Sequence, residues 1–249
     1  MKITLLQQDI AWGNPATNQQ AAEHAILAAP KSDLYVLPEM WSTGFATEPE
    51  GVAETDESSL TWMKQMAHRL DAAIAGSIST EVDGKYYNRF YFVKPTGEAE
   101  YYDKHHLFTY SGEHHRYTAG TERKVVEWRG ARFLLQVCYD LRFPVFARNS
   151  ASAPYDVALY VASWPTSRIE AWKALLKARA IENQCYVVGV DRVGTDPACS
   201  YCGGTMLIDA YGRVVDACEE NKVCSLTADL DLEALSAFRK KFPVLNDAD

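Results

Sequence analysis

Three side chains of complementary chemistry stand where apolar runs of the chain turn polar. Glu39 closes DLYVLPE, Lys104 follows EAEYYD, and Cys138 ends ARFLLQVC before the chain continues as YDLRFP. A carboxylate that takes a proton, a thiol that attacks and an ammonium that holds developing negative charge would together cleave an amide through a covalent intermediate. Each also has an ordinary alternative: a solvated strand-end glutamate, a surface lysine, or a core thiol behaving as a small hydrophobe. Only the combination points to chemistry.

The elements that must position these groups can be read from periodicity. KITLLQQD predicts a first strand, and Pro15, with Asn14 as cap, starts a helix through ATNQQAAEHAILAA. DLYVLPE predicts a buried strand ended by Pro38, SSLTWMKQMAHRL a helix with a serine cap, and AAIAGSIS a small-residue strand. YNRFYFV and EAEYYD flank the turn PTGE, while RKVVEW and ARFLLQV flank Arg129-Gly130, so two hairpins are expected. The second delivers Cys138. DVALYVAS is a further strand, and SRIEAWKALLKARAIEN has apolar residues at the three- and four-residue spacing of an amphipathic helix. QCYVVGVDR, GTMLID, VVDAC and KVCSLTADL complete the strand content. Residues 104–121 have no clean period, and long loops of that kind are often functional. Mixed strand and helix patterns indicate an α/β or α+β protein, two sheets packed face to face with helices outside. No linker divides the chain, so residues 1–249 read as a single domain.

Composition narrows the partners. Hydrophobic residues at 47% and charged residues at 23% belong to an ordinary globular chain rather than a disordered one. The net charge of -8, with no basic cluster longer than Arg239, Lys240 and Lys241, argues against nucleic acid. No run approaches the ~20 apolar residues of a membrane span, and MKITLLQQD lacks a signal-peptide core, so a cytoplasmic location and no membrane partner are expected. The six cysteines are then expected to remain thiols. Cys199 and Cys202 in CSYC could form a redox pair or half a zinc site. No second ligand pair follows at finger or ribbon spacing, so two incidental loop thiols are favoured, and a non-enzymatic thiol or zinc protein stays as the alternative from another class. The pairs His105, His106 and His114, His115 are expected to splay apart, as neighbours on a strand do, and not to share an ion.

LPEMWSTGF, YDKHHLF, VCYDLRFP and KARAIENQCYVVGVDRVG closely resemble the four signature blocks of the nitrilase, or carbon-nitrogen hydrolase, superfamily. The likeness runs from about Met1 to Asp229. It implies a four-layer αββα sandwich of two mixed sheets flanked by helices, commonly dimeric, that needs no metal and no organic cofactor. It also implies a triad of Glu39, Lys104 and Cys138, supported by Glu113 in GEHHRYTAG. Glu39 would take the Cys138 proton, the thiolate would attack, and Lys104 with the Tyr139 amide would hold the oxyanion. Ammonia would leave a thioester for water to cleave. A carboxylate base useful at neutral pH needs its proton affinity raised by burial; Lys104 should oppose that, and Glu113 should offset the lysine charge.

Within the superfamily the match is closest to bacterial omega-amidases, which carry NWP or SWP and a nearby arginine, here ASWPTSR. CGGT and Asp191 depart from the residues frequent at those positions. The implied substrate is a 2-oxo dicarboxylate monoamide, 2-oxoglutaramate or 2-oxosuccinamate. The nearest alternative is another carbon-nitrogen hydrolase acting on an N-carbamoyl amino acid or a nitrile. A distal carboxylate needs a cation, and guanidinium binds it in bidentate fashion. Arg142 is preferred, with an ion pair to Asp140 as its open alternative, and Arg168 is second. Phe108, Trp164 and Trp41 are candidate apolar walls, with ordinary core packing as theirs.

Overall fold

The computed structural model describes residues 1–247. Numbering strands in chain order, β1 (Lys2–Gln7), β2 (Leu34–Val36), β3 (Ala73–Val82), β4 (Lys85–Val93), β5 (Ala99–Asp103) and β14 (Cys224–Asp229) form one sheet, in the order β14-β1-β2-β3-β4-β5. The second sheet has β6 (Val125–Trp128), β7 (Ala131–Val137), β8 (Val157–Ala162), β9 (Tyr186–Asp191), β12 (Met206–Ile208) and β13 (Val214–Ala217), in the order β13-β12-β9-β8-β7-β6. Strands β10 (Val193–Thr195) and β11 (Ser200–Cys202) make a separate two-stranded ribbon. The helices are α1 (Pro15–Ala28), α2 (Ser58–Leu70), α3 (Pro144–Ala147), α4 (Ile169–Asn183) and α5 (Leu232–Lys241). None is long and apolar enough to cross a membrane, among the described residues.

Each sheet has a parallel centre, β1-β2-β3 in one and β7-β8-β9 in the other, with antiparallel strands outside. Parallel strands must be covered on both faces, and the period of two along each strand divides the side chains accordingly. Leu5, Val36, Phe92, Phe133, Leu135, Val161 and Val188 meet between the sheets. Leu6, Leu37 and Ile74 face outward onto Ala22 and Ile26 of α1 and Met63 and Ala67 of α2. Leu134, Tyr160 and Val187 face outward onto Trp172, Leu176 and Ala180, spaced along one face of α4. The αββα sandwich is thus what two doubly buried sheets require.

This order brings the C-terminal ends of β2, β5, β7, β8 and β9 to one edge, the place where parallel-sheet proteins bind ligands. Several expectations change in detail. The predicted serine cap of α2 is not a cap: Glu57 occupies that position, and the Glu54 carboxylate accepts the Ser59 amide from outside the helix at 2.9 Å. The cysteines are not all thiols, because the turn joining β13 to β14 brings the Cα atoms of Cys218 and Cys224 to 5.9 Å and the pair is disulfide-bonded. The other four are free. The histidine pairs lie outside strands and do not splay: ring centroids are 4.5 Å apart for His105 and His106, and 3.8 Å for His114 and His115.

Lys104 extends just beyond β5, where its carbonyl accepts the Gly120 amide at 3.0 Å. A Cβ on Gly120 would overlap the backbone carbonyl of Asp103. Backbone cannot rotate aside as a side chain can, so the strand end carrying Lys104 would have to shift. Gly120→Ala is expected to cost about 1–3 kcal/mol, the range of overpacked sites, read as a lower urea midpoint with unchanged slope.

Candidate active site

At the shared edge, the three segments that leave β2, β5 and β7 bring Glu39, Lys104 and Cys138 together. The Lys104 Nζ donates to Glu39 Oε1 at 2.9 Å and to Glu113 Oε1 and Oε2 at 3.1 and 3.0 Å. All three side chains have no solvent exposure. Asn88 of β4 adds a donor to Glu39 Oε1 at 2.8 Å, and the Ser163 amide beyond β8 donates to Glu39 Oε2 at 2.8 Å. Glu113 also accepts the Phe108 amide, which closes the irregular loop on itself.

Backbone geometry places the two outer groups. Cys138 is not the last strand residue but the first of a 3-10 turn, Cys138–Arg142, with φ at +46°. A non-glycine residue held in that region costs about 1–3 kcal/mol and persists only where its surroundings enforce it. Asp140 does the enforcing: Oδ2 accepts the Val137 amide at 2.9 Å and the Tyr102 hydroxyl at 2.8 Å, and Oδ1 accepts the His106 amide at 2.9 Å. One buried carboxylate thereby ties the thiol turn to the segment that follows Lys104. Met40, directly after Glu39, also has positive φ, at +44°, and its amide donates to Ser77 Oγ of β3 at 2.9 Å.

The electrostatics follow from burial. Burial alone would push the Lys104 ammonium down, but Glu113 and Glu39 more than offset it and hold its pKa above the ordinary lysine range. Burial pushes Glu113 up, Lys104 pulls against it, and Glu39 adds to the rise, leaving the pKa above that of an ordinary glutamate. Burial and the neighbouring Glu39 charge push the Cys138 thiol well above its usual range, opposed by Lys104. The resting nucleophile candidate is therefore a neutral thiol.

A cavity of about 580 Å³ opens over this cluster. Lys104, Phe108, Cys138, Tyr139, Arg142, Trp164 and Arg168 all line it, as the sequence reading requires of a common pocket, while Glu39 and Glu113 lie beneath its surface. The alternative pairing of Arg142 with Asp140 is not found, since Asp140 is filled by the contacts above and by His106 Nδ1 at 2.8 Å. The Arg142 guanidinium lies over the Trp164 ring at 4.9 Å, and that of Arg168 over Phe108 at 5.3 Å. Among the described residues neither has an ion-pair partner.

Trp41 is a correction: it is fully buried in the core under α1 and α2, 4.9 Å from Trp62, and does not reach the cavity. Cys199, expected to be incidental, lines the cavity with Pro197, Ala198 and Tyr201 of the β10–β11 ribbon. Trp12 and Phe45 complete the wall. No periodicity marked these residues, although Phe45 stands in the block that carries Glu39. Among the described residues, no three His, Cys, Asp or Glu side chains converge as a metal-ligand set.

The carbon-nitrogen hydrolase model matches residues 2–240. The chain belongs to the carbon-nitrogen hydrolase family. Relatives of this carbon-nitrogen hydrolase include the omega-amidase YafV of Yersinia enterocolitica, 45% identical over all of this chain and 97% of the relative. The 2-oxoglutaramate amidase of Bacillus subtilis is 35% identical over 98% of this chain and 96% of its own. Among solved structures, XC1258 of Xanthomonas campestris, a superfamily member with an arsenic adduct in its active site, superposes with a TM-score of 0.96 at 41% identity. It covers all of this chain and 97% of its own.

Removing the ammonium would leave two buried carboxylates facing each other. Lys104→Met is expected to destabilise the hydrolase by about 3–5 kcal/mol near neutral pH, as for other buried pairs that lose one partner. Glu113 already has a folded pKa above its unfolded value, and loss of the cation raises it further. Stability from such a group is complete at low pH and lost as pH rises through the folded pKa. Thermal unfolding should therefore show a smaller deficit at pH 5 than at pH 8.

Proposed function

We propose that this carbon-nitrogen hydrolase is an omega-amidase that converts a 2-oxo dicarboxylate monoamide to the 2-oxo acid and ammonia. The observation that carries the substrate class is the pair of unpaired guanidiniums, Arg142 and Arg168, in the cavity over the Glu39–Lys104–Cys138 cluster. A cavity with two free cations selects an anion, and one whose floor is a thiol beside a carboxylate selects an acyl group. The omega-amidase and 2-oxoglutaramate amidase names of its full-length relatives support the same reading.

In this reading Glu39 Oε2 is the base. Oε1 already accepts from Lys104 and Asn88, whereas Oε2 accepts only the Ser163 amide and keeps a lone pair free. It takes the Cys138 proton as sulfur attacks the amide carbon, so a neutral resting thiol is no obstacle. The oxyanion is stabilised by Lys104 and by the amide of Tyr139. That amide is among the first N-H groups of a helical turn, which have no partner within the turn. Glu39 passes the proton to nitrogen, ammonia leaves, and Cys138 holds a thioester. Glu39 then removes a proton from water, whose oxygen forms the new acid, and returns that proton to the Cys138 sulfur as it departs. Glu113 keeps the ammonium neutralised and oriented. Arg142 holds the distal carboxylate, Arg168 assists, and Trp164 and Phe108 support the two guanidiniums from their ring faces.

The same reading takes residues 1–249 as one domain and includes a cytoplasmic homodimer. The core shared by both sheets supports the first, and the family resemblance supports the dimer.

Ammonia release from 2-oxoglutaramate, with L-glutamine, an N-carbamoyl amino acid and a nitrile run in parallel, tests the assignment. Turnover of the keto-acid amide alone is expected, abolished in Cys138→Ala, and preference for either of the last two would replace the omega-amidase reading. Arg142→Met should raise KM about 10–100-fold with kcat little changed, the worth of a hydrogen bond to a charged group. Arg168→Met should raise it less, and the reverse ranking would exchange their roles.

A further inference from the structure

Asp191, the last residue of β9, is fully buried beside the cluster, and the mechanism above does not use it. Its Oδ1 accepts the Trp164 amide at 2.8 Å and the Arg192 amide at 2.9 Å, while Oδ2 is buried with no partner. The amide immediately before Trp164 is that of Ser163, which rests on Glu39 Oε2. Two successive amides beyond β8 are therefore each held by a buried carboxyl, one on the proposed base and one on Asp191.

We propose that Asp191 is a positioning residue for amide hydrolysis: by holding the Trp164 amide it fixes the Ser163 amide on Glu39 Oε2 and so aims the free lone pair of that oxygen at Cys138. The inference rests on the proposed role of Glu39. Asp191 is itself fixed, since its amide donates to Thr205 Oγ1 at 3.0 Å and that hydroxyl donates to the Asp191 carbonyl at 3.1 Å. Gln7 Oε1 in turn accepts the Gly204 and Thr205 amides, each at 3.0 Å, which anchors the clamp to β1 of the opposite sheet.

A neutral side chain suffices for this task. Burial pushes the Asp191 carboxyl well above the ordinary carboxylate range, against the pull of its two amide donors and of the Arg192 charge, and the nearby Glu39 adds to the rise. The Arg192 guanidinium makes no hydrogen bond to the Asp191 side chain; its Nη2 donates to the Ile10 carbonyl at 3.1 Å, and it lies over the Tyr201 ring at 4.6 Å. An anion at Asp191 would also oppose the Cys138 thiolate. The Trp164 ring has its own anchors, its Nε1 donating to the Arg168 carbonyl at 2.8 Å and its centroid lying 5.4 Å from that of the tilted Trp172 ring. Loss of the clamp should therefore move the peptide more than the pocket wall.

The test compares Asp191→Asn, which keeps an uncharged acceptor of the same shape, with Asp191→Leu and the smaller Asp191→Ser, all in the full-length enzyme and verified as folded by circular dichroism. Asparagine is expected to keep kcat within about threefold of wild type. Leucine or serine, whichever folds, should lower kcat at least 30-fold while KM changes less than threefold. The proposal is overturned if asparagine is as impaired as the others, if a folded leucine or serine variant keeps wild-type kcat, or if the loss falls on KM. Each variant is read as a ratio to wild type on whichever linear amide the enzyme turns over. Failure of wild type on 2-oxoglutaramate therefore bears on the substrate reading alone.

Discussion

The site depends on one buried ammonium. Lys104 has three protons to place in a buried site, so Glu39 and Glu113 must both be present and in reach. Withdrawing ions from water costs several kcal/mol each, and the cost is recovered only when the geometry satisfies every group. That condition forces three separate segments to one point: the end of β5, the loop carrying Glu113, and the residues after β2. The sandwich supplies the point because its parallel centres end at one edge.

Buried charges of this kind set the directions of the pKa shifts and leave the thiol neutral. A cysteine paired with histidine is commonly activated in advance as a thiolate, stabilised by the imidazolium. Here the nearest groups are a carboxylate that opposes the thiolate and an ammonium already shared between two anions. On the proposed assignment the proton leaves sulfur during attack, and Lys104 is drawn toward the oxyanion as Glu39 loses its charge. The cluster redistributes one proton without ever exposing an unpaired ion.

The triad candidates were legible in the sequence because each stands in a short block whose neighbours set its backbone. Glu39, Lys104 and Cys138 follow strands, and the strands announce themselves by period. Glu113 came only from the family resemblance, since nothing local distinguishes it from a solvated loop glutamate. The cavity wall was less legible for a physical reason: Trp12, Tyr201 and Cys199 arrive from segments distant in sequence, and tertiary packing alone selects them. Trp41 shows the converse, an aromatic close to Glu39 in the chain whose side chain the positive φ at Met40 and the Ser77 contacts direct into the helix-sheet core. The partner of Asp140 was equally beyond sequence. Arg142 is closest along the chain, yet Tyr102 and the Val137 and His106 amides occupy the carboxylate.

That choice by Asp140 has a consequence for recognition. Had it paired with Arg142, the thiol turn would be fixed by a surface-directed ion pair and the pocket would hold one cation fewer. By spending its acceptors on the backbone at Val137 and His106, Asp140 rigidifies the nucleophile turn and leaves the guanidinium uncommitted. Its place over the Trp164 ring then holds Arg142 at the cavity wall without neutralising it. In a chain of net charge -8, a half-buried guanidinium in the cavity, without an ion-pair partner among the described residues, presents positive potential to an anionic ligand. The residue that shapes the nucleophile's turn thereby also frees the group proposed to choose the substrate.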